Sequence, residues 1–224
     1  MNQTKGIYSP KVWFSPKFPI YLVWSLRSSL GDIVLTSNKF KKEREAWPTA
    51  AALLGIIKMT NKLWWVQVPE EDPPDMYAMT LTPHQKENQN YVDYRNVEVM
   101  EINKRSKKSI EEEIVDKVIN KYYEKETCLL VHIKRNTRIK DMREISKNLN
   151  GRIHDIADIW LLGNTKLGTN DFILFSVFPE VQVVSYNLDE EIAKLPPAMT
   201  LELKKSKGTI VQNIKAPFIW RFKP

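Results

Sequence analysis

At 224 residues, with 42% apolar and 27% charged side chains, the chain can bury a sizeable core and reads as one large domain, or one domain with an extension. No apolar run approaches a membrane span, and no uninterrupted apolar core follows Lys5 or Lys11 as in a signal peptide. The lone Cys128 excludes a disulfide framework and a cysteine–histidine zinc site, so a cytoplasmic protein with no membrane partner is expected. The net charge of +7 is concentrated at the ends: residues 1–47 hold 8 Lys/Arg against 3 Asp/Glu, residues 203–224 hold 6 against none, and residues 48–202 hold 20 against 24. Basic ends beside an acidic middle suit a polyanion held near a metal site, or a generic soluble surface.

Residues 1–30 mix prolines with aromatics, including Trp13, Phe14, Phe18, Tyr21 and Trp24. The prolines argue against a long helix and the aromatics against disorder, which predicts a packed arm with a short helix or strand near Tyr21–Ser28. Ser37–Thr60 reads as helix in two pieces, a charged Lys39–Ala46 and a buried Thr49–Met59, with Pro48 in the first turn of the second. Strands are expected at Leu63–Val68, Met76–Thr82 and Tyr91–Asn103, on aromatic and β-branched content. Ser109 with Glu112 has capping-box spacing, and Ile110, Ile114, Val118 and Tyr122 form one apolar helical face, with Tyr123 beside it. A strand at Cys128–Ile133, a helix at Asp141–Leu149 and a strand at Ile156–Leu162 turned by Gly163-Asn164 follow. The rest reads as a hairpin of Phe172–Phe178 and Val181–Leu188, a short helix at Asp189–Leu195, and a hairpin of Thr200–Leu203 with Thr209–Ile214.

Acidic residues on apolar strands stand out in one region only. Pro73-Pro74-Asp75 opens the second strand and Glu98 lies inside the third, in Val97-Glu98-Val99-Met100. Two carboxylates on neighbouring strands, with a backbone carbonyl, make a hard oxygen site that suits Mg²⁺. These residues, in the order helix, three strands, helix, strand over roughly 39–162, resemble the restriction-endonuclease-like superfamily, whose pattern is P-D, a gap, then (D/E)-x-K. The resemblance implies a mixed α/β (α+β) core with a central sheet flanked by helices. The chain reads as an arm (1–36), a nuclease-like core (37–178) and a β-rich C-terminal extension (179–224), together one compact domain. The implied activity is metal-dependent cleavage or processing of DNA, with RNA a further possible substrate and a homodimer a possible assembly. A non-catalytic member of the same fold that binds nucleic acid or protein is the alternative.

The resemblance makes Asp75 and Glu98 catalytic residues and ligands of Mg²⁺ or Mn²⁺, with Glu45 of the preceding helix as a third ligand and Glu43 behind it. The lysine of the pattern is replaced by Met100. Lys104 is assigned its catalytic place, with Lys117 and Lys121 as further candidates should their helix face turn inward. Glu101 with Asn103 is a shifted alternative, and Gln67 is a weaker polar candidate. Phosphate contacts are expected from Lys107 and Lys108 and from Lys204, Lys205 and Lys207. Phe218, Trp220 and Phe222 alternate along the tail and are expected to dock on the core. His84, His132 and the His154-Asp155 pair lack partners at catalytic or metal-ligand spacing.

Overall fold

The computed structural model describes residues 8, 11–70, 73–84, 89–119, 121–124, 127–136, 142–150, 152, 156–166, 168–197, 200–206 and 209–215. The expectations for His154-Asp155, Lys207, Phe218, Trp220 and Phe222 lie outside them, as do those for the side chains of His84, Lys204 and Lys205.

Helix α1 spans Lys17–Leu30, longer than the arm composition suggests. Pro16 and Pro19 fall before and within its first turn, where backbone N–H groups have no intrahelical acceptor, so neither ring breaks a bond. A short turn of helix, α2, covers Ile33–Thr36. Helix α3 runs unbroken from Lys41 to Thr60 through Pro48. The proline forfeits one helical bond, but Ala46, Ala50, Leu53 and Leu54 are buried on both sides of it and hold the two halves in line. Left-handed Asn61 ends the helix, its N–H donating to the Ile57 carbonyl at 2.8 Å.

Strands β1 (Val12–Phe14), β2 (Trp64–Gln67), β3 (Met76–His84) and β4 (Gln89–Ile102) lead to helix α4 (Ile110–Ile119) and strand β5 (Thr127–Ile133). The predicted capping box is formed: Ser109 Oγ accepts from Glu112 N–H at 3.1 Å, and Glu112 Oε2 accepts from Ser109 N–H at 2.7 Å. Helix α5 (Met142–Leu149), strand β6 (Asp158–Asn164), strands β7 (Asp171–Phe178) and β8 (Gln182–Asn187), helix α6 (Leu188–Lys194), and strands β9 (Thr200–Ser206) and β10 (Thr209–Lys215) complete the described chain. Gly163 and Asn164, expected to turn the chain, continue β6. The turn falls later, where Asn164 Nδ2 donates to the Thr169 carbonyl at 2.8 Å. Asn187 caps α6, its side chain accepting from Asp189 and Glu190 N–H.

The described strands form one mixed sheet in the order β10-β9-β1-β2-β3-β4-β5-β6-β7-β8. It is mostly antiparallel, with β5 parallel to β4 and β6 parallel to β5. The segments expected as arm, core and extension thus share a sheet, because β9 pairs with β1. One face packs on α1, α3 and α6 through Ile20, Leu53, Leu54, Val66, Leu130, Leu162 and Ile192. The other packs on α4 and α5 through Ile114, Ile145, Leu129, Val131, Ile159 and Leu161. A third cluster of Trp13, Trp65, Met79 and Leu201 lies across β1, β2, β3 and β9.

Candidate active site

Alternation along β4 sorts its residues cleanly. Val97 and Val99 pack on the α3 side, while Met100 and Ile102 belong to the core beneath α4. Glu98 therefore emerges on the α4 side of the sheet. Met76 pairs with Val97 across β3 and β4, and one step further brings Asp75 level with Glu98 on the same face. The two expected carboxylates meet in one cleft of about 390 Å³, lined also by Lys41, Pro73, Pro74, Asn96, Lys121, Tyr122, Tyr123, Glu124 and Thr127.

Both acids are buried, Asp75 at 9% and Glu98 at 4% exposure, and each has a partner that offsets desolvation. Asp75 Oδ2 accepts the Val99 backbone N–H at 2.8 Å, at the end of the β3–β4 ladder. That bond fixes the carboxylate against β4. Glu98 Oε2 lies 3.2 Å from Lys121 Nζ, whose side chain is half-exposed. Across the cleft, Asn96 Nδ2 donates to Glu124 Oε2 at 2.6 Å.

Besides Lys41 of α3, the cations come from the segment that crosses over the sheet between β4 and β5. Met100, at the position of the pattern lysine, points into the apolar core under α4. The Lys117 ammonium on α4 is held below the usual lysine range, chiefly by burial and then by Lys121, while Glu98 and Asp75 pull it back up. Tyr123 is buried beside the acids. Burial, with added repulsion from Glu98 and Asp75, pushes its hydroxyl up to about 12.

Other expected residues fall elsewhere. Lys104, given the catalytic place, lies past the end of β4 in an open basic depression with Ser106, Lys107, Lys108, Ser109, Glu112, Arg135 and Asn136. The end of β4 at Ile102 is already four residues of extended chain, roughly 13 Å, from Glu98, and Lys104 lies in the turn beyond it, outside the cleft lining. Lys108 there pairs with Asp116. Glu101 points to the opposite face from Glu98 and pairs with Lys134, which removes the shifted alternative. Glu45 is 3.4 Å from Nζ of Lys41, which lines the cleft, and is not itself among the lining residues. Glu43 is buried against the α3-side core, where desolvation raises its carboxyl pKa. Gln67 is buried on β2 across from Tyr77.

Among the described residues, no group of three or more His, Cys, Asp or Glu side chains is arranged to hold a metal ion. Asp75 and Glu98 still fit a divalent cation of the Mg²⁺ type, which takes one or two carboxylates and completes its octahedron with water and phosphate oxygens. The spacing puts Tyr122 on the apolar face of α4, but it is 91% exposed and lines the cleft, because the helix ends at Ile119. Periodicity misplaces Tyr122, and it leaves open the position of Lys121, which the sequence offers as a candidate lysine. The helical spacing extends through them although the helix does not. No family model, no curated protein and no solved structure matches the chain.

Proposed function

We propose that the protein is a metal-dependent phosphodiesterase acting on nucleic acid, with Asp75 and Glu98 as its acidic pair. The observation that carries this reading is the convergence of Asp75, Glu98 and Lys121 in a single cleft, on the strand pair where a P-D…E-x-K pattern would put its acids. Asp75 and Glu98 would hold Mg²⁺ or Mn²⁺. The ion would polarise the phosphodiester and acidify a bound water. Val99 N–H orients Asp75, so the carboxylate is positioned before substrate arrives. Lys117 and Lys121 take over from Met100 the task of offsetting negative charge on the phosphate, and Lys121 exchanges its bond to Glu98 for one to the substrate. Lys104 and Lys107 lie in a separate open depression past the end of β4, where they add positive charge for phosphate contacts outside the cleft.

The test is cleavage of labelled single-stranded, duplex and branched DNA, and of RNA, with Mg²⁺ or Mn²⁺. Asp75→Ala and Glu98→Ala should each lower the rate by about 100-fold or more, the usual effect of removing one preorganised electrostatic group. Activity that survives both substitutions would remove the site. The ion pair between Lys121 and Glu98 favours one other reading, a non-catalytic binding module in which the lysine permanently occupies the metal's place. In that case the wild-type protein shows no Mn²⁺ binding by calorimetry, and Lys121→Ala does not restore cleavage.

A further inference from the structure

We infer that the cleft receives an unpaired strand of nucleic acid, whose bases stack on Tyr122 and Tyr94. This inference rests on the acidic cleft as the reacting site. The register of β3 and β4 sets three rows on one face of the sheet. Asp75 and Glu98 form the first, Tyr77 and Asn96 the second, and Met79 and Tyr94 the third. Rows along one face are spaced by two residues, about 6.7 Å. An aromatic strip therefore starts one row from the acids. Tyr94 stands at its far end, 36% exposed. Its ring is supported on two sides, by Tyr77 at 5.3 Å between centroids and by Trp13 edge-on at 6.2 Å.

The cleft itself is lined by Tyr122, whose 91% exposure is the highest among the large apolar and aromatic side chains described. Leaving a ring of that size in water forgoes the free energy of its burial. The neighbouring Tyr123 takes the inward place, so the backbone turns Tyr122 out and packing does not require it. Lys121 precedes it and Lys41 lines the same cleft, which supplies cations for a phosphate backbone beside a stacking ring. A duplex keeps its bases stacked inside and offers such rings nothing. A single strand, or a strand splayed from a junction, presents the free faces that both tyrosines can use.

The test is fluorescence anisotropy with a labelled oligothymidylate and a hairpin duplex of equal length. It is run in EDTA on the wild-type protein, and again on Glu98→Gln, which removes the acid's repulsion of phosphate. The single strand should bind more tightly than the duplex. Tyr122→Ala and Tyr94→Ala should each weaken single-strand binding by roughly 5- to 150-fold, the range for one lost base stack. Tyr122→Phe should retain wild-type affinity. Tyr122 is so exposed that its replacement does not threaten the fold. Equal or tighter duplex binding, no binding of either probe, or an unchanged affinity in Tyr122→Ala would each overturn the inference. Single-strand binding that depends on Tyr122 in a protein that cleaves nothing would refute the phosphodiesterase reading and leave this one standing. Asp75-dependent cleavage of duplex that ignores Tyr122→Ala would do the reverse.

Discussion

Met100 decides how the cleft obtains its positive charge. It shares the face of Glu98, yet α4 lies over it and seals it in the core with Ile114 and Leu129. Restoring the pattern lysine there would bury an ammonium among aliphatic groups. Met100→Lys should therefore lower stability by about 3 kcal/mol or more in urea denaturation and give no gain in cleavage. Lys117→Ala and Lys121→Ala should reduce cleavage by about 100-fold each, whereas Lys104→Ala should leave kcat unchanged. His132 offers a second test at this scale, on the other face of the sheet. It is buried against Trp47, and burial with the nearby Lys134 charge pushes its pKa down to about 3 from 6.5. Between those values the unfolded chain binds a proton that the folded chain refuses. Stability is then lost as pH falls from about 6.5 towards 3, by up to about 1.4 kcal/mol per pH unit. Glu43 and Asp158, whose carboxyls burial raises, act in the opposite sense. The difference in urea midpoint between wild type and His132→Leu cancels them. That difference should favour the variant increasingly from pH 7 to pH 5.

Among the elements, α3 was half legible. Its apolar run announced a buried helix, but Pro48 argued for a break that tertiary packing overrides. The strand–strand–strand–helix–strand order from 64 to 133 was legible because each element carries its own local signal: β-branched alternation, a capping box, an apolar helical face. Asp75 and Glu98 were legible for the same reason, since parity along two neighbouring strands fixes their face. Lys121 was open because its position depends on where α4 stops, and periodicity alone does not mark that point. Neither does local sequence explain Gly55 in the middle of α3. The helix lies so close to β7 and β8 that a Cβ there would sit 2.9 Å from both Leu174 Cδ2 and Tyr186 Cε1. Tyr186 holds this approach with a 2.6 Å bond to the Ala51 carbonyl. Gly55→Ala gains about 1 kcal/mol of helix propensity, but overpacking a closed core costs about 1–3 kcal/mol. The variant should be less stable than wild type by thermal melting, the reverse of the usual effect in an exposed helix.

At the scale of the whole molecule, the sheet makes the two ends of the described chain depend on each other. Strand β1 is three residues long and stands between β2 and β9, with Phe14 facing Val66 on one side and Thr200 on the other. No local pattern foretells that pairing, because it joins residues almost the full chain apart. The pairing has an energetic consequence. Leu201 of β9 is fully buried against Trp13, Trp65 and Met79, so the C-terminal hairpin completes a cluster begun by β1 and β2. Removing residues 198–224 leaves α6 in place but strips β1 of one row of hydrogen-bond partners and takes Leu201 from its cluster. Loss of a buried leucine alone costs about 2–5 kcal/mol. The bare strand edge adds a template for pairing with another chain. The shortened protein should show a urea midpoint lowered by an amount corresponding to at least about 3 kcal/mol, fast hydrogen exchange at Trp13 and Phe14, and self-association at high concentration. An independent extension would behave otherwise. The core would then keep its midpoint and its protected β1 amides after the cut. The aromatic strip would also survive, since Trp13, which braces Tyr94, would keep its place in the sheet. Loss of single-strand affinity in the shortened protein, alongside fast exchange at Trp13, would tie the C-terminal hairpin to the binding face through β1.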